Sequence, residues 1–290
     1  MRRSVLVVVL SAAMHSLSSV ALHGATLDLR CVNDPSTNGG GSDGCQGADL
    51  QSGTLNNAFF TLDTSQSTGT GVIDSFLVIQ GGSETIVSGY NTDGTREFQT
   101  QPSSNSLQIT DVPLVTIDGV DYRAFGLDID QEGTNPYISL DSLQIFVANS
   151  GSLTGYPTFG GNATMVYDLD SNGNNTVLLN YGMNSGSGSG DVFVYIPNSL
   201  FLPTVNTYGT NPYIMLYSLF GATNPCTDAT TATCSANDGP EEWWVRAGGG
   251  PPLPPLDEPP PAVPEPSSLL LLGTGLAVAA RAFRRRLRRG

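Results

Sequence analysis

Side chains that commonly act as catalytic bases or nucleophiles are scarce in this sequence. The only histidines are His15 and His23, and none of the 290 residues is a lysine. A serine or cysteine nucleophile needs a neighbouring base, and a zinc peptidase needs a His-Glu-x-x-His motif, which the sequence lacks. The composition therefore excludes triad, Schiff-base and zincin chemistry. It leaves reactions that two carboxyl groups can perform, such as glycoside hydrolysis.

The most suggestive carboxyl pair is Glu241-Glu242, which directly precedes Trp243-Trp244. Aromatic rings stack on sugars, so this run could belong to a glycosidase. However, the sequence contains 26 acidic residues, and some pair beside an aromatic residue is expected by chance. The alternative is a terminal β-strand with one tryptophan buried and its neighbour half exposed. We favour that alternative and predict that the protein is not an enzyme.

A second candidate site is a short run of oxygen ligands. Asp168, Asp170 and Asn172, followed by glycine, match the first half of the Asp-x-Asp-x-Asn-Gly calcium loop. The twelfth position is Leu179, where that loop needs a bidentate glutamate. Calcium would then need ligands from elsewhere, such as Asp128, Asp130 and Glu132. We favour an Asn-Gly hairpin turn with solvated aspartates, and we expect no other cofactor.

The segments that would position these residues have a β-strand pattern. Short β-prone runs separated by Gly, Asn, Asp and Ser give predicted strands at 72–80, 143–147, 192–196 and 213–219. Asp118-Gly119 and Asn172-Gly173 are predicted hairpin turns, because both residues of such a turn must accept positive φ. The first would join 114–117 to 120–125, and the second 165–169 to 177–180. The pattern predicts an all-β fold, a single jelly-roll-like β-sandwich over residues 26–247.

Charge is unevenly distributed along the chain. Of the 26 acidic residues, 25 lie between positions 28 and 258, together with only four arginines, so this part has a net charge of −21. Such a surface repels nucleic acid and anionic lipid. We therefore exclude nucleic acid as a partner and expect an acidic surface that attracts divalent cations.

The N-terminus has the features of a secretory signal peptide over residues 1–25. Arg2 and Arg3 precede an apolar run at 4–14, and cleavage is predicted after Ala21 or Ala25. The Sec translocon and signal peptidase are the implied partners. A retained membrane helix is the alternative, but the apolar run is shorter than the roughly 20 residues that span a bilayer.

An exported chain with an even number of cysteines is typical of disulfide-bonded proteins. The four cysteines permit three pairings, and we favour the two local ones, Cys31–Cys45 and Cys226–Cys234. Each would close a polar loop and remove entropy from the unfolded state. A zinc site is the alternative, but the spacings contain no Cys-x-x-Cys motif.

The C-terminus has four parts in order. A Pro- and Gly-rich linker at 248–263 precedes Pro264-Glu265-Pro266, an apolar segment at 267–280, and a terminal arginine cluster. The cluster consists of Arg281, Arg284, Arg285, Arg286, Arg288 and Arg289. Arginines hold such a tail in the cytoplasm while the apolar segment lies in the bilayer. The prolines keep the residues outside the membrane extended.

These 27 residues, from Pro264 to Gly290, resemble the PEP-CTERM sorting signal. The resemblance implies export, transient anchoring in the inner membrane, and recognition by an exosortase, a membrane-embedded protease or transpeptidase of Gram-negative bacteria. Proteins of this family are typically linked to extracellular polysaccharide and biofilm. An ordinary single-span anchor is the alternative, but 14 apolar residues are short for a lasting anchor.

The sequence therefore predicts an exported structural or adhesive protein of the cell envelope, outer surface or extracellular matrix. The alternative is a carbohydrate-binding module, which predicts aromatic side chains aligned on one exposed face of a sheet. A glycosidase is a third hypothesis, which predicts two carboxyl groups roughly 5–10 Å apart in a cleft.

Overall fold

The computed structural model describes residues 24–30, 52–62, 74–183, 190–223, 233–246, 249–251 and 253. The strands in chain order are β1 Thr26–Asp28, β2 Ser52–Leu55, β3 Ala58–Leu62, β4 Ser75–Ile79, β5 Val87–Tyr90, β6 Leu107–Gln108, β7 Leu114–Ile117, β8 Val120–Asp128, β9 Tyr137–Ala148, β10 Ala163–Asp168, β11 Thr176–Asn180, β12 Val192–Pro197, β13 Tyr213–Phe220 and β14 Glu241–Trp244. The helix α1 Val205–Tyr208 and five 3-10 turns connect them, at Ile109–Asp111, Phe159–Gly161, Tyr181–Met183, Asn198–Leu200 and Leu202–Thr204.

These strands form two seven-stranded sheets. Sheet A has the order β1-β11-β9-β13-β5, with β10 paired to β9 and β6 paired to β13. Sheet B has the order β2-β3-β12-β8-β14-β4, with β7 paired to β8. The pair β1–β11 is parallel, whereas β9–β13 and β8–β12 are antiparallel. The predicted all-β class is confirmed, and the jelly-roll-like strand order stays a prediction.

One hydrophobic core joins the two sheets. Phe60, Phe125 and Trp243 of sheet B and Ile145 and Leu216 of sheet A belong to the same buried cluster. On most strands the core residues alternate with residues that face outward, as the pleat of a β-strand requires, although the adjacent Phe76 and Leu77 of β4 both belong to the core. The sheets therefore pack face to face, and each also has an outer face.

The predicted strands and the first hairpin agree with the structure. The predictions 143–147, 192–196 and 213–219 fall within β9, β12 and β13, and the described part of 72–80 contains β4. Asp118 and Gly119 have φ values of 50° and 80° and connect β7 to β8, which pair with each other. The Asp-Gly hairpin prediction is confirmed.

The second hairpin prediction is wrong. β10 pairs with residues 144–148 of β9, and β11 pairs with residues 137–140 of the same strand. The two strands therefore lie one after the other along one edge of β9 and do not pair with each other. The long strand β9 offers two consecutive pairing sites, so the turn at Asn172-Gly173 moves the chain along this edge.

The domain extends beyond the predicted boundary at residue 247. Leu253 is buried, and its backbone N–H donates to the carbonyl of Thr210 at 2.9 Å. The N–H of Gly250 donates to the carbonyl of Thr110 at 3.0 Å. The compact unit accordingly ends at Leu253. Residues 249–251 and 253, which were predicted as linker, pack on the body because their backbone groups and one leucine find partners there.

Arg123 fixes this tail. Its side chain is fully buried at an inward position of β8, and burial lowers its pKa from the ordinary value. The guanidinium donates to four oxygens, at 2.6 to 3.0 Å, which are the carbonyls of Ile109, Val112 and Pro251 and Oδ1 of Asn198.

Several predicted segments lie outside the described residues. These are the signal-peptide region before Gly24, the spacer after Leu253, Pro264-Glu265-Pro266, the apolar segment and the terminal arginine cluster. Among the residues that are described, no helix is both long and apolar enough to cross a membrane.

Candidate functional site

Carboxylates from three strands meet at one end of sheet B. β8 ends at Asp128, β12 follows directly after Asp191, and β14 begins at Glu241. Because β8 pairs with both β12 and β14, these three residues lie at neighbouring positions, and Asp130 and Asp238 stand close to them. We call these five residues the acidic cluster.

Asp128, Asp191 and Glu241 of the acidic cluster are buried, Asp130 is partly buried and Asp238 is exposed. The residues that follow β8 donate hydrogen bonds to two of the buried carboxyl groups. Oδ2 of Asp191 accepts the backbone N–H of Ile129 at 2.8 Å. Oε2 of Glu241 accepts the N–H of Asp130 at 3.2 Å, and its Oε1 accepts Nε2 of Gln131 at 2.7 Å. The remaining side-chain oxygens of Asp191 and Gln131 are buried without a hydrogen-bond donor. The cluster thus holds more buried acceptors than donors.

This imbalance changes the protonation of the cluster. Burial raises the pKa of Asp191 well above its ordinary range, and the neighbouring carboxyl groups of Asp128 and Glu241 raise it further. Burial also raises the pKa of Glu241, as do Asp130 and Asp128. Within the described ranges, no arginine pairs with Asp191 or Glu241. The cluster is therefore suited to hold protons that ordinary surface carboxylates have lost.

Strand β14 places the two glutamates considered for glycoside hydrolysis, Glu241 and Glu242, in different environments. Glu241 is fully buried, while Glu242 is half-buried and its Oε2 accepts the hydroxyl of Ser75 at 3.0 Å. The two side chains lie at successive positions of β14 and so point to opposite faces. Sugar could not reach Glu241 without opening the fold. The prediction that the protein is not an enzyme stays a prediction.

The two tryptophans differ from the expectation of one buried and one half exposed. Trp243 lies in the core and donates from Nε1 to Oγ of Ser218 at 2.9 Å. Trp244 faces outward, yet only 8% of it is exposed. A Cβ atom on Gly126 would lie 2.2 Å from its ring, and one on Gly190 would lie 2.7 Å from it. Because these glycines have no side chains, the indole lies against the strands and is covered.

The candidate calcium residues form a hydrogen-bonded turn. Oδ1 of Asp168 accepts the N–H of Asp170 at 3.0 Å, and Oδ1 of Asp170 accepts the N–H of Asn175 at 2.8 Å. Oδ1 of Asn172 accepts Nδ2 of Asn175 at 2.7 Å. These oxygens point into the turn, and the aspartates are not simply solvated as we had expected. The described residues contain no group of three or more carboxylate, histidine or cysteine ligands that could hold a metal ion. Calcium binding at this turn, which the sequence did not favour, stays a hypothesis.

The suggested additional calcium ligands are not brought to this turn. Asp128 and Asp130 belong to the acidic cluster on sheet B, whereas Asp168 ends β10 of sheet A. Among the cysteines, the described residue is Cys234, which is buried against Leu178 and is disulfide-bonded. Cys31, Cys45 and Cys226 lie outside the described residues. The two favoured pairings therefore stay predictions.

Aromatic side chains cover the outer faces of both sheets. On sheet A, a second buried cluster contains Tyr90, Phe146, Phe159 and Tyr217. The partly buried Tyr156 packs against it, and Phe98, which is 53% exposed, makes ring contacts with Tyr90, Tyr156 and Tyr217. On sheet B, a chain of ring contacts connects Tyr122, Tyr195, Phe59, Phe193 and Trp244.

Neither the acidic cluster nor the ring contacts on the outside of sheet B could be predicted from the sequence. Asp191 and Tyr195 carry no recognisable motif, and their partners lie far away in the chain. The alternation of β12 places Phe193 and Tyr195 on one face. The pairing of β12 with β3 and β8, which brings the other rings to it, could not be read from the sequence.

Comparison with known proteins gives one match. The family model of the PEP-CTERM protein-sorting motif matches residues 262–286. This match contains Pro264-Glu265-Pro266 and the first arginines of the terminal cluster. No curated protein and no solved structure matches the chain.

Proposed function

Because the chain carries a PEP-CTERM protein-sorting motif at residues 262–286, we propose that it is a structural or adhesive protein displayed on the bacterial surface or in the extracellular matrix. The motif marks an exported protein that is processed by an exosortase. The motif is the observation that carries the proposal. No catalytic step is assigned to the body.

The order of features in the tail supports processing. Pro264-Glu265-Pro266 directly precedes the apolar segment 267–280, and its prolines disfavour a helix at the position that a membrane-embedded enzyme would recognise. The terminal arginines resist translocation and hold the tail on the cytoplasmic side until processing. The apolar segment is short for a lasting anchor, which suits a transient one.

The core and the charge of the body support the proposal that it is a displayed protein. One hydrophobic core joins its two sheets, and residues 28–258 carry a net charge of −21, which favours solubility and repels anionic polymers. Residues 254–263 contain five prolines and no glycine, a composition that is typical of stiff spacers. Divalent cations could cross-link such acidic surfaces in a matrix.

Changing Pro264→Ala, Glu265→Ala and Pro266→Ala together is expected to abolish C-terminal processing. The enzyme would lose the extended motif that it recognises, and the protein would keep residues 267–290 and remain in the inner membrane. Mass spectrometry of the protein from native cells, with and without the substitutions, measures this.

The matched control replaces Glu258, Pro259 and Pro260, a similar acidic and proline-containing run in the spacer, with alanine. Processing should continue in this control. Recovery of the unaltered protein with residues 267–290 intact from exosortase-containing cells would refute the proposal.

Signal cleavage is expected after Ala21, so that the mature protein begins at Leu22. Ala25 belongs to the fold, because its N–H donates to Oδ1 of Asn175 at 2.8 Å and its carbonyl accepts the N–H of Thr176 at 3.0 Å. A cut after Ala25 would remove both bonds and leave a charged amine at Thr26, the first residue of β1. N-terminal sequencing of the exported protein tests this, and a start at Thr26 would contradict it.

A further inference from the structure

The outer face of sheet B carries a continuous group of aromatic rings from four strands. We call it the aromatic face, and it consists of Phe59 on β3, Tyr122 on β8, Phe193 and Tyr195 on β12, and Trp244 on β14. These residues alternate with core residues such as Phe60, Val194 and Trp243, so the rings point away from the core. The aromatic face is therefore a feature of the surface and not part of the main core.

Tyr195 lies at the centre of this face. Its ring centroid is 5.9 Å from that of Phe59 and 6.0 Å from that of Phe193, with interplanar angles of 30° and 35°. Tyr122 stands edge-on to it at 6.4 Å, and Trp244 adjoins Phe193 at 5.3 Å. The rings of Phe59 and Phe193 are each tilted against that of Tyr195, and the three together form a platform of aromatic surface.

The rings of the platform and of its neighbour Trp244 differ in how far they are exposed. Phe59, Tyr122 and Tyr195 are half-buried, whereas Phe193 and Trp244 are at most 8% exposed. The half-buried rings are positioned by neighbours on paired strands, so binding a ligand would cost them little conformational freedom. Such preorganised aromatic area is typical of recognition surfaces.

The residues between the rings are small or carry hydroxyl groups. Strand pairing places Thr54 opposite Phe59, Thr61 opposite Phe193, and Ser52 opposite Thr61. Opposite Tyr195 and Phe193, the central strand β8 contributes Ala124 and Gly126, and the indole of Trp244 lies over Gly126 beside Phe193. The residues that these pairings place beside the rings include no long aliphatic side chains. A surface that contacts lipid or docks another protein would present such side chains. Flat rings with hydroxyls around them match the C–H faces and hydroxyl groups of a sugar.

The negative charge of the protein limits which class of polysaccharide can bind. The part of the chain between residues 28 and 258 has a net charge of −21, which repels an anionic polymer. The cation described at this face is Arg246, whose guanidinium lies 4.6 Å from the centre of the Phe193 ring. An uncharged glycan avoids the repulsion and gains the stacking contacts.

We propose that the aromatic face is a binding site for neutral polysaccharide, in which sugar rings stack on Tyr195 and Phe59. The inference deepens the proposed function, since it rests on export to the place where such polymers occur. It names the partner through which the displayed protein would adhere. The affinity arises from several weak stacking contacts along the chain of sugars.

The test is binding of the full-chain protein, purified in detergent, to neutral and charged polysaccharides. The neutral probes are cellulose, chitin, dextran and xyloglucan, and alginate is the anionic comparison. The protein should bind at least one neutral probe, and added salt should leave that binding unchanged. Tyr195→Ala should weaken it about tenfold or more, as loss of a central contact does, and Tyr195→Phe should retain most of it.

Phe98→Ala is the matched control, because Phe98 is a more exposed aromatic residue that packs on the other sheet. It should bind like the unaltered protein. If Tyr195→Ala fails to fold, Tyr122→Ala at the rim should weaken binding by a smaller factor. Absence of binding to every neutral probe, binding to alginate alone, or equal binding by the Tyr195→Ala and Phe98→Ala proteins would overturn the inference. Because binding is measured without processing, these outcomes are independent of the sorting experiment.

Discussion

Replacing Arg123→Met is expected to lower the free energy of unfolding by roughly 3 kcal/mol or more, because it leaves several buried oxygens without a donor. The guanidinium is fully buried and donates to the carbonyls of Ile109, Val112 and Pro251 and to Asn198. Methionine has a similar length but supplies no N–H. Urea unfolding of the purified protein, followed by tryptophan fluorescence, measures the change through the midpoint at constant slope.

Arg96→Met is the matched control. Arg96 also donates to two carbonyls, those of Pro102 and Ser104, but it is exposed, so water can replace the lost bonds. We expect this variant to change stability by less than about 1 kcal/mol. Hydrogen exchange gives a second readout, since the amides of Gly250 and Leu253 should exchange faster only in the Arg123 variant. Equal unfolding midpoints for the two variants would show that Arg123 does not hold the tail.

Arg123 also shows what strand alternation can and cannot predict. Along β8, Arg123, Phe125 and Leu127 are two residues apart and share the inward face. The sequence therefore contained a sign that an arginine faces the core. Its acceptors lie on other segments, and Pro251 is in a stretch whose composition is that of a linker. The extended domain boundary could not be predicted without that contact.

The two turn predictions differ in the same way. Asp118-Gly119 joins strands that pair with each other, so local backbone preference was sufficient to predict the hairpin. Asn172-Gly173 joins strands that each prefer a different part of β9. The length of β9 and its pairing partners decide this arrangement, and neither is encoded near the turn. Local patterns predicted the strands well, whereas long-range pairing decided where they lie.

Long-range pairing also explains why the acidic cluster escaped prediction. Asp128, Asp191 and Glu241 are distant in the sequence and become neighbours only because β8 lies between β12 and β14. In contrast, the sorting motif is a continuous segment whose order of prolines, apolar residues and arginines has a direct physical meaning. It could be recognised from sequence alone, and the family match at 262–286 confirms it.

The acidic cluster should make the protein more stable in mildly acidic solution than at pH 8. Burial raises the pKa of Asp191 and of Glu241, so the folded state binds protons more tightly than the unfolded chain. This stabilisation is complete below the unfolded pKa values of about 4 and is lost as the pH rises through the raised folded values. Thermal unfolding across this range should show a melting temperature that falls with increasing pH.

Two other carboxyl groups, those of Asp28 and Glu97, have the opposite effect on stability, because folding lowers their pKa values. Burial raises the pKa of Asp28, but hydrogen bonds and the charge of Arg30 outweigh it and lower the pKa. The hydroxyl of Tyr90 lowers the pKa of Glu97. Stability from these two groups is present above their unfolded pKa values and is lost as the pH falls below about 4. The maximum of stability should therefore lie in mildly acidic solution, between the two effects.

The substitution Asp191→Asn tests how much the acidic cluster contributes to the pH dependence of stability. The asparagine carbonyl can accept the N–H of Ile129 as Oδ2 does, and its amide can donate towards Asp128 without carrying charge. At pH 8 the variant should melt a few degrees higher, the shift that about 1 kcal/mol produces in a domain of this size. Its melting temperature should also depend less on pH.

Asp93→Asn is the control for this substitution. Asp93 is exposed, and its Oδ1 accepts the N–H of Ser106 at 2.8 Å, so the change removes the same charge and keeps a similar hydrogen bond. Its pH dependence should match that of the unaltered protein. If Asp191→Asn melted lower at pH 8 and kept the full pH dependence, the buried carboxyl of Asp191 would have to be stabilised in its charged form.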